Sequence, residues 1–477
     1  MMGVVSGDGR FVAFASDAPE VIPGNGQSRD IFLRDRQSGA MELISVATNG
    51  TEPDGLSLFP DISADGRFVV FESFAGDLVE DDGQGFTDIF VRDRQTATTR
   101  RVNLTPEGGD LNNDSLTPSI SATGRYVTYT SLASTAVATD SNGVRDVFLV
   151  DLETSITELI SIATDGTQGD VNSGGLGAGE GHVTSDGRYV VYGSFATTLV
   201  PNDLNIKDDI FVRDRLNGTT ERVSIATDGA EGNDHSMYGS ISEDGRYVVY
   251  YSTADTLVLD DNNEVADIFL RDRQTGETER ISGGTGDLEA NGVSRFPDVS
   301  SDGRYVVYQS FASNLVPSDE NESFDIFRYD RQTGETQRIS LPPSGGEAHG
   351  ATTAAKVNSD GSVVVFQSVA DDLAPSDLNF ESDVFAWGKS SGPLPTATPV
   401  TPSPTATPTP TPADRIGDAN NDARIDSIDA ALILQLTAGL LLSLPQTADA
   451  NVDAQVNSID AALVLQFTAG LLTSLPP

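Results

Sequence analysis

Short apolar runs of four to six residues recur along this chain, each closed off by a polar turn. In the sixth copy, 297–300 is a brief run that turns at Ser301-Asp302-Gly303. Arg304-Tyr305-Val306-Val307-Tyr308-Gln309-Ser310 follows, rich in β-branched and aromatic residues. A polar loop leads to Asp325-Ile326-Phe327-Arg328-Tyr329-Asp330, and a Gln332-Thr333-Gly334 turn leads to 335–340. Runs of this length and composition between turn residues predict β-strands, here four to a unit. The turn glycine recurs as Gly9, Gly66, Gly124, Gly187, Gly245, Gly303 and Gly361, so the period is about 58 residues. A fixed period of this size predicts a repeat architecture, and four antiparallel strands repeated radially describe a propeller blade.

These units resemble the TolB-type (WD-like) propeller repeat, whose signature is Pro-x-x-Ser-x-Asp-Gly-Arg/Lys before an apolar strand. The resemblance covers about four-fifths of the chain and implies an all-β, seven-bladed propeller over residues 1–388. Copy three departs from it at Thr123, and copy seven at Ser362. The pattern of copy seven ends after 382–387, before a fourth strand, and the chain opens on a first strand. One missing upstream segment would account for both the absent closing strand and the absent signal peptide. The expectation is therefore that the given start lies inside a longer reading frame.

Residues 389–413 are a Thr/Pro tract, a composition that forms a semi-stiff spacer and no core. Beyond it, 414–477 turns to Ala, Leu and Asp with helical periodicity. The segment 418–429 carries Asp418, Asn420, Asp422, Asp426 and Asp429 at loop positions 1, 3, 5, 9 and 12, with Arg424 at position 7. The segment 449–460 repeats this with Asp449, Asn451, Asp453, Asn457 and Asp460, and Gln455 at position 7. This is the oxygen spacing of an EF-hand calcium loop. Two such loops, each followed by one helix and preceded by none, resemble a type I dockerin domain, a small all-α EF-hand-like module. The resemblance implies calcium as cofactor and a cohesin-type module as partner. It places Ser427, Ile428, Ser458 and Ile459 at the positions that contact that partner. Alanine stands at loop position 6 as Ala423 and Ala454, where glycine serves the sharp turn.

Charge and composition narrow the remaining options. The formal charge is −43, from 72 acidic and 29 basic residues, which opposes binding to nucleic acid or anionic lipid. There is no cysteine, so disulfides and thiolate sites are excluded. The longest apolar run, 430–444, is too short to insert across a membrane.

Among the repeated polar positions, a serine stands seven residues after every glycine, from Ser16 to Ser368. A residue present in every blade reads as structural, since a catalytic serine would be unique. The loop between the second and third strands carries an Asp-x-amide-x-x-x-Asp pattern: Asp203, Asn205, Asp209; Asp261, Asn263, Asp267; Asp319, Asn321, Asp325. Alternating oxygens suit calcium, and the same residues also cap turns with their own side chains. The Arg-Asp-Arg triplets read as ion pairs between strands or blades. Three histidines, His182, His235 and His349, break the repeat. Some propellers of this type are polysaccharide lyases with histidine-bound metal, so convergence of the three would favour an enzyme. The reading is otherwise a secreted, non-catalytic, monomeric propeller that binds a polysaccharide or a cell-surface protein.

Overall fold

The computed structural model describes residues 3–388, apart from 19–20, 22–28, 81, 84, 175–180, 285–287, 375–376 and 378–380. Within these residues the chain forms seven antiparallel sheets in sequence order. Six have four strands and the last has three. Each sheet is a meander, so every strand pairs with its sequence neighbour and crossovers are absent. Blade six has strands Ser294–Val299, Tyr305–Ser310, Asp325–Asp330 and Glu335–Arg338. Its first strand begins three residues earlier than the apolar run indicates. A bulge between Arg295 and Asp298 lets the strand continue through Phe296.

The core consists of the layers between consecutive sheets. Ile89, Val91 and Val102 of blade two pack on Val127, Tyr129 and Phe148 of blade three. Equivalent layers join blades five and six, and six and seven. Every blade sets one ring of its second strand against one of its third, stacked in blades two to seven, for example Tyr250 on Phe269 at 6.0 Å and Phe366 on Phe385 at 6.0 Å, and tilted in blade one. A blade cannot bury both its faces alone, so this repetition ties folding of each sheet to its neighbours.

The turn that opens the second strand shows why its glycine recurs. Gly303 has φ of +70°, and a Cβ there would lie 2.2 Å from the Tyr247 ring of the preceding blade. The Asp302 carboxylate accepts from Ser300 Oγ and from the Arg304 amide, which fixes the turn. Arg304 then forks onto Asp330 at 2.9 and 2.7 Å, closing the blade across its second and third strands. The second arginine of the triplet works between blades. Arg273 of blade five pairs with Glu221 of blade four and lies 4.5 Å above the Tyr189 ring. The triplets are ion-pairing devices, as their recurrence implies. The repeated serine is structural too: Ser310 Oγ bonds Ser294 Oγ across two strands and accepts from the Ala312 amide.

Blade seven contains Thr352–Val357, Val363–Ser368 and Asp383–Gly388. Gly3–Val5 is the innermost strand of blade one and pairs only within it. The ring closes by packing of blade seven on blade one, where the Ser359 amide and Asn358 Nδ2 both donate to the Gly7 carbonyl.

Candidate functional site

The innermost strands line a central channel. Five residues before the turn glycines stand Val4, Asp61, Ser119, His182, Ser240, Asp298 and Lys356, and all seven line one chamber. Asp61 accepts from Ser119 Oγ and the Ile120 amide, both at 2.8 Å and both from the next blade. Asp298 accepts from Ser240 Oγ at 2.9 Å on one side and the Val357 amide at 2.9 Å on the other. These two carboxylates therefore stitch adjacent blades. Burial pushes the Asp61 carboxyl up, against the pull of its hydrogen bonds and of Lys356. His182 is pushed down to about 3, first by burial and then by the Lys356 ammonium, with Asp298 opposing. It is a neutral imidazole, and a metal ion bound to it would face that ammonium.

The channel narrows like an hourglass. The lower chamber, about 150 Å³, shares His182 and Lys356 with a waist of about 20 Å³. That waist is room for about one water. The waist in turn shares Phe296 and Ala354 with an upper chamber of about 360 Å³. Ala15, Arg29, Leu58, Phe59, Gln309, Thr353 and Gln367 complete the upper chamber.

A backbone device shapes that chamber. Seven residues before the glycine, Phe59, Thr117, Tyr238, Phe296 and Ala354 all adopt left-handed φ of 48–55°. Each lies at the bulge of its innermost strand. The conformation is costly for residues other than glycine. It is held by the preceding blade: the Thr117 amide donates to Glu72 Oε2 at 2.8 Å, and the Ala354 amide to Gln309 Oε1 at 3.1 Å. At three of these positions the side chain is aromatic, and Tyr238 and Phe296 meet edge-to-face at 4.6 Å.

The same end of the strands carries an apolar crescent. Eight residues after the glycine, Phe74, Leu132, Phe195, Phe311 and Val369 are 38–52% exposed. Isolated apolar surface residues are unremarkable, but five at equivalent positions on one face form a pattern.

The three histidines serve different places. His182 is in the waist. His235 lies at the opposite end of an innermost strand, where its Nδ1 is 2.9 Å from Asp208 and its ring meets Phe195 edge-on. His349 is exposed beside Asp371 and Asp372, at 3.2 and 3.6 Å. Among the described residues, no cluster of metal-type ligands contains two of them.

The Asp-x-amide loops are built around an arginine that lies on the fourth strand. In blade four, Arg222 Nη1 is 3.2 Å from Asp203, 3.1 Å from Asp209 and 2.5 Å from Glu231. Asn205 closes the turn, donating to Asp209 and Gly232 and accepting from the Lys207 amide. Arg280 stands likewise among Asp261, Asp267 and Glu289, and Arg338 among Asp319, Asp325 and Glu347. Asn263 and Asn321 repeat the turn. Each of these three loops thus places a guanidinium among its carboxylates. Burial, reinforced by the neighbouring Asp209 carboxylate, pushes Asp203 up to about 7 even beside Arg222. Blade three has Leu159 and Gln168 where blade four has Arg222 and Glu231 and blade two has Arg101 and Asp110.

The loop residues Asp418, Asn420, Asp422, Arg424, Asp426, Asp429, Asp449, Asn451, Asp453, Gln455, Asn457 and Asp460 lie outside the described residues, as do Ser427, Ile428, Ser458 and Ile459. Residues 416–467 match the model of the dockerin type I domain, so the chain carries a dockerin domain. No curated protein matches the chain. Its fold is similar to TolB from Acinetobacter baumannii at 16% identity and TM-score 0.40, covering 72% of this chain and 66% of that one. It is also similar to the β-propeller domain of the Trilobed protease from Pyrococcus furiosus at 14% identity and TM-score 0.48, covering 81% and 92%. Oligogalacturonate lyase from Vibrio parahaemolyticus is similar at 12% identity and TM-score 0.48, covering 81% and 88%.

Proposed function

We propose that this chain is an extracellular modular binding protein. Its propeller offers a recognition face, and its dockerin domain attaches it, with calcium, to a cohesin-bearing scaffold or cell surface. The observation that carries attachment is the dockerin match at 416–467, which falls on the duplicated oxygen-rich loops 418–429 and 449–460. Asp418, Asn420, Asp422, Asp426 and Asp429 would supply side-chain oxygens to a first ion, and Asp449, Asn451, Asp453, Asn457 and Asp460 to a second, with the backbone carbonyls of Arg424 and Gln455 at position 7 of each loop. Ser427, Ile428, Ser458 and Ile459 form the cohesin-facing pairs. The recognition role is supported by the upper chamber and the apolar crescent, which open on one face.

The test is capture of the full chain by an immobilised cohesin module, with calcium and with EDTA. Capture should need calcium and be lost when Asp418→Ala and Asp449→Ala are combined. Equal capture in EDTA would overturn the attachment. A glycan array probed with the full chain tests the recognition half.

A further inference from the structure

We propose that the upper chamber of the channel is the propeller's ligand site and that it takes a saccharide ring. The proposal rests on the recognition role above and adds to it a place and a chemical class. Two amide side chains decide the matter. Gln367 is only 7% exposed and lines the chamber, and its side chain has no hydrogen-bond partner among the described residues. Gln309, 4% exposed, spends its Oε1 on the Ala354 amide and leaves its Nε2 for the cavity. Neither amide is sealed from the cavity, and the Nε of Arg29 beside them is buried without a partner, a state that costs about 1–3 kcal/mol. A ligand that supplies both donors and acceptors relieves that cost.

The walls sharpen the class. Phe59 and Phe296, from blades two and six, line the chamber together with the amides of blades six and seven. Flat apolar faces beside paired donor and acceptor groups suit a ring with hydroxyls at its edge and C–H bonds on its faces. Arg29 adds one cation, whose Nε is buried without a partner and whose Nη2 pairs with Asp17. A neutral sugar and a uronic acid therefore share the site chemistry, and Arg29 is the group that would tell them apart. The volume of about 360 Å³ lies within the roughly 300–1,000 Å³ of small-ligand sites. The waist of about 20 Å³ adjoins the chamber below. The left-handed Phe59, Phe296 and Ala354 shape these walls in the absence of a ligand, which is preorganisation of the site.

The experiment is calorimetric titration of the full chain with cellotetraose as neutral probe and tetragalacturonate as acidic probe. At least one should bind. Gln367→Ala and Phe296→Ala should each weaken it tenfold or more, and Phe296→Tyr should restore most of the loss. Leu216→Ser, on an exposed turn at the other end of the strands, should change nothing. Preference for the acidic probe that disappears in Arg29→Gln would assign a carboxylate contact. Hydrogen exchange supplies a readout free of substitution: the bulge amide of Ala354 should slow on binding, and amides of the lower chamber should not. Binding unchanged in both variants, with Ala354 exchange unaltered, would overturn this site and leave the recognition role standing. Failure of the wild-type chain to bind either probe at millimolar concentration would overturn the saccharide class. A glycan array without any hit would overturn the recognition role itself.

Discussion

At the scale of single residues, strain is concentrated where blades touch. Gly303 answers two demands at once, a left-handed turn and contact with the Tyr247 ring at what would be 2.2 Å from a Cβ. Gly303→Ala should therefore destabilise the propeller by about 2–4 kcal/mol, combining a positive-φ penalty with displacement of a packed ring. Chemical denaturation of the full chain measures this. Gly334→Ala is the companion control, because its φ is +73° but nothing lies within 4 Å of the added Cβ. Its cost should be about 1 kcal/mol, the conformational part alone. Equal losses at the two glycines would refute the role given to the ring. The left-handed bulge residues carry no such sequence signal. Phe59, Thr117, Tyr238, Phe296 and Ala354 share a conformation but not a chemistry, so the shape of the upper chamber could not be read from the residues that make it.

At the scale of strands and loops, the sequence was legible wherever a contact repeats at a fixed offset. The strands, the turns and the arginine–aspartate forks are all of that kind. The Asp-x-amide loop was legible only in part, since its centre comes from another strand. Arg222 lies 13 residues beyond Asp209 and enters the loop through pairing of the third and fourth strands. A signal was available: Arg101, Arg222, Arg280 and Arg338 each stand nine residues before Asp110, Glu231, Glu289 and Glu347, whereas blade three has Leu159 nine before Gln168. Blade three thus loses the cation and one anion together. The same pairing predicts a double-mutant result in blade four. Arg222→Leu alone leaves three crowded carboxylates and should cost about 3–5 kcal/mol. Adding Glu231→Gln, to copy blade three, should recover at least half of that. Additive losses in denaturant titrations would show that the cluster does not act as a unit.

At the scale of the whole molecule, two populations of aspartate set how stability depends on pH. One population is paired by a fork: an arginine hydrogen bond is the leading cause that holds Asp93, Asp151 and Asp272 below the usual carboxylate range. Such groups stabilise the fold at neutral pH, and the contribution is lost only as pH falls below about 4. The other population is desolvated inside the loops. Burial pushes Asp88, Asp146, Asp261 and Asp319 up to about 6, and Asp203 to about 7. A carboxyl raised in this way binds its proton more tightly folded than unfolded. Folding then takes up protons between the unfolded value of about 4 and the folded value, so stability falls as pH rises through that window. The formal charge of −43 acts in the same direction, since acidification relieves its repulsion. Thermal melts of the propeller should therefore move upward as pH drops from 8 to about 5, and downward below about 4. Asp203→Asn should raise the melting temperature at pH 8 and flatten the slope above pH 5, because it removes the group titrating highest in that window. EDTA in every sample removes calcium binding as a variable across the pH series. A melting temperature that falls steadily from pH 8 to pH 5 would mean that these loop carboxylates remain ionised on folding, with the guanidinium of Arg222 and its counterparts outweighing the burial.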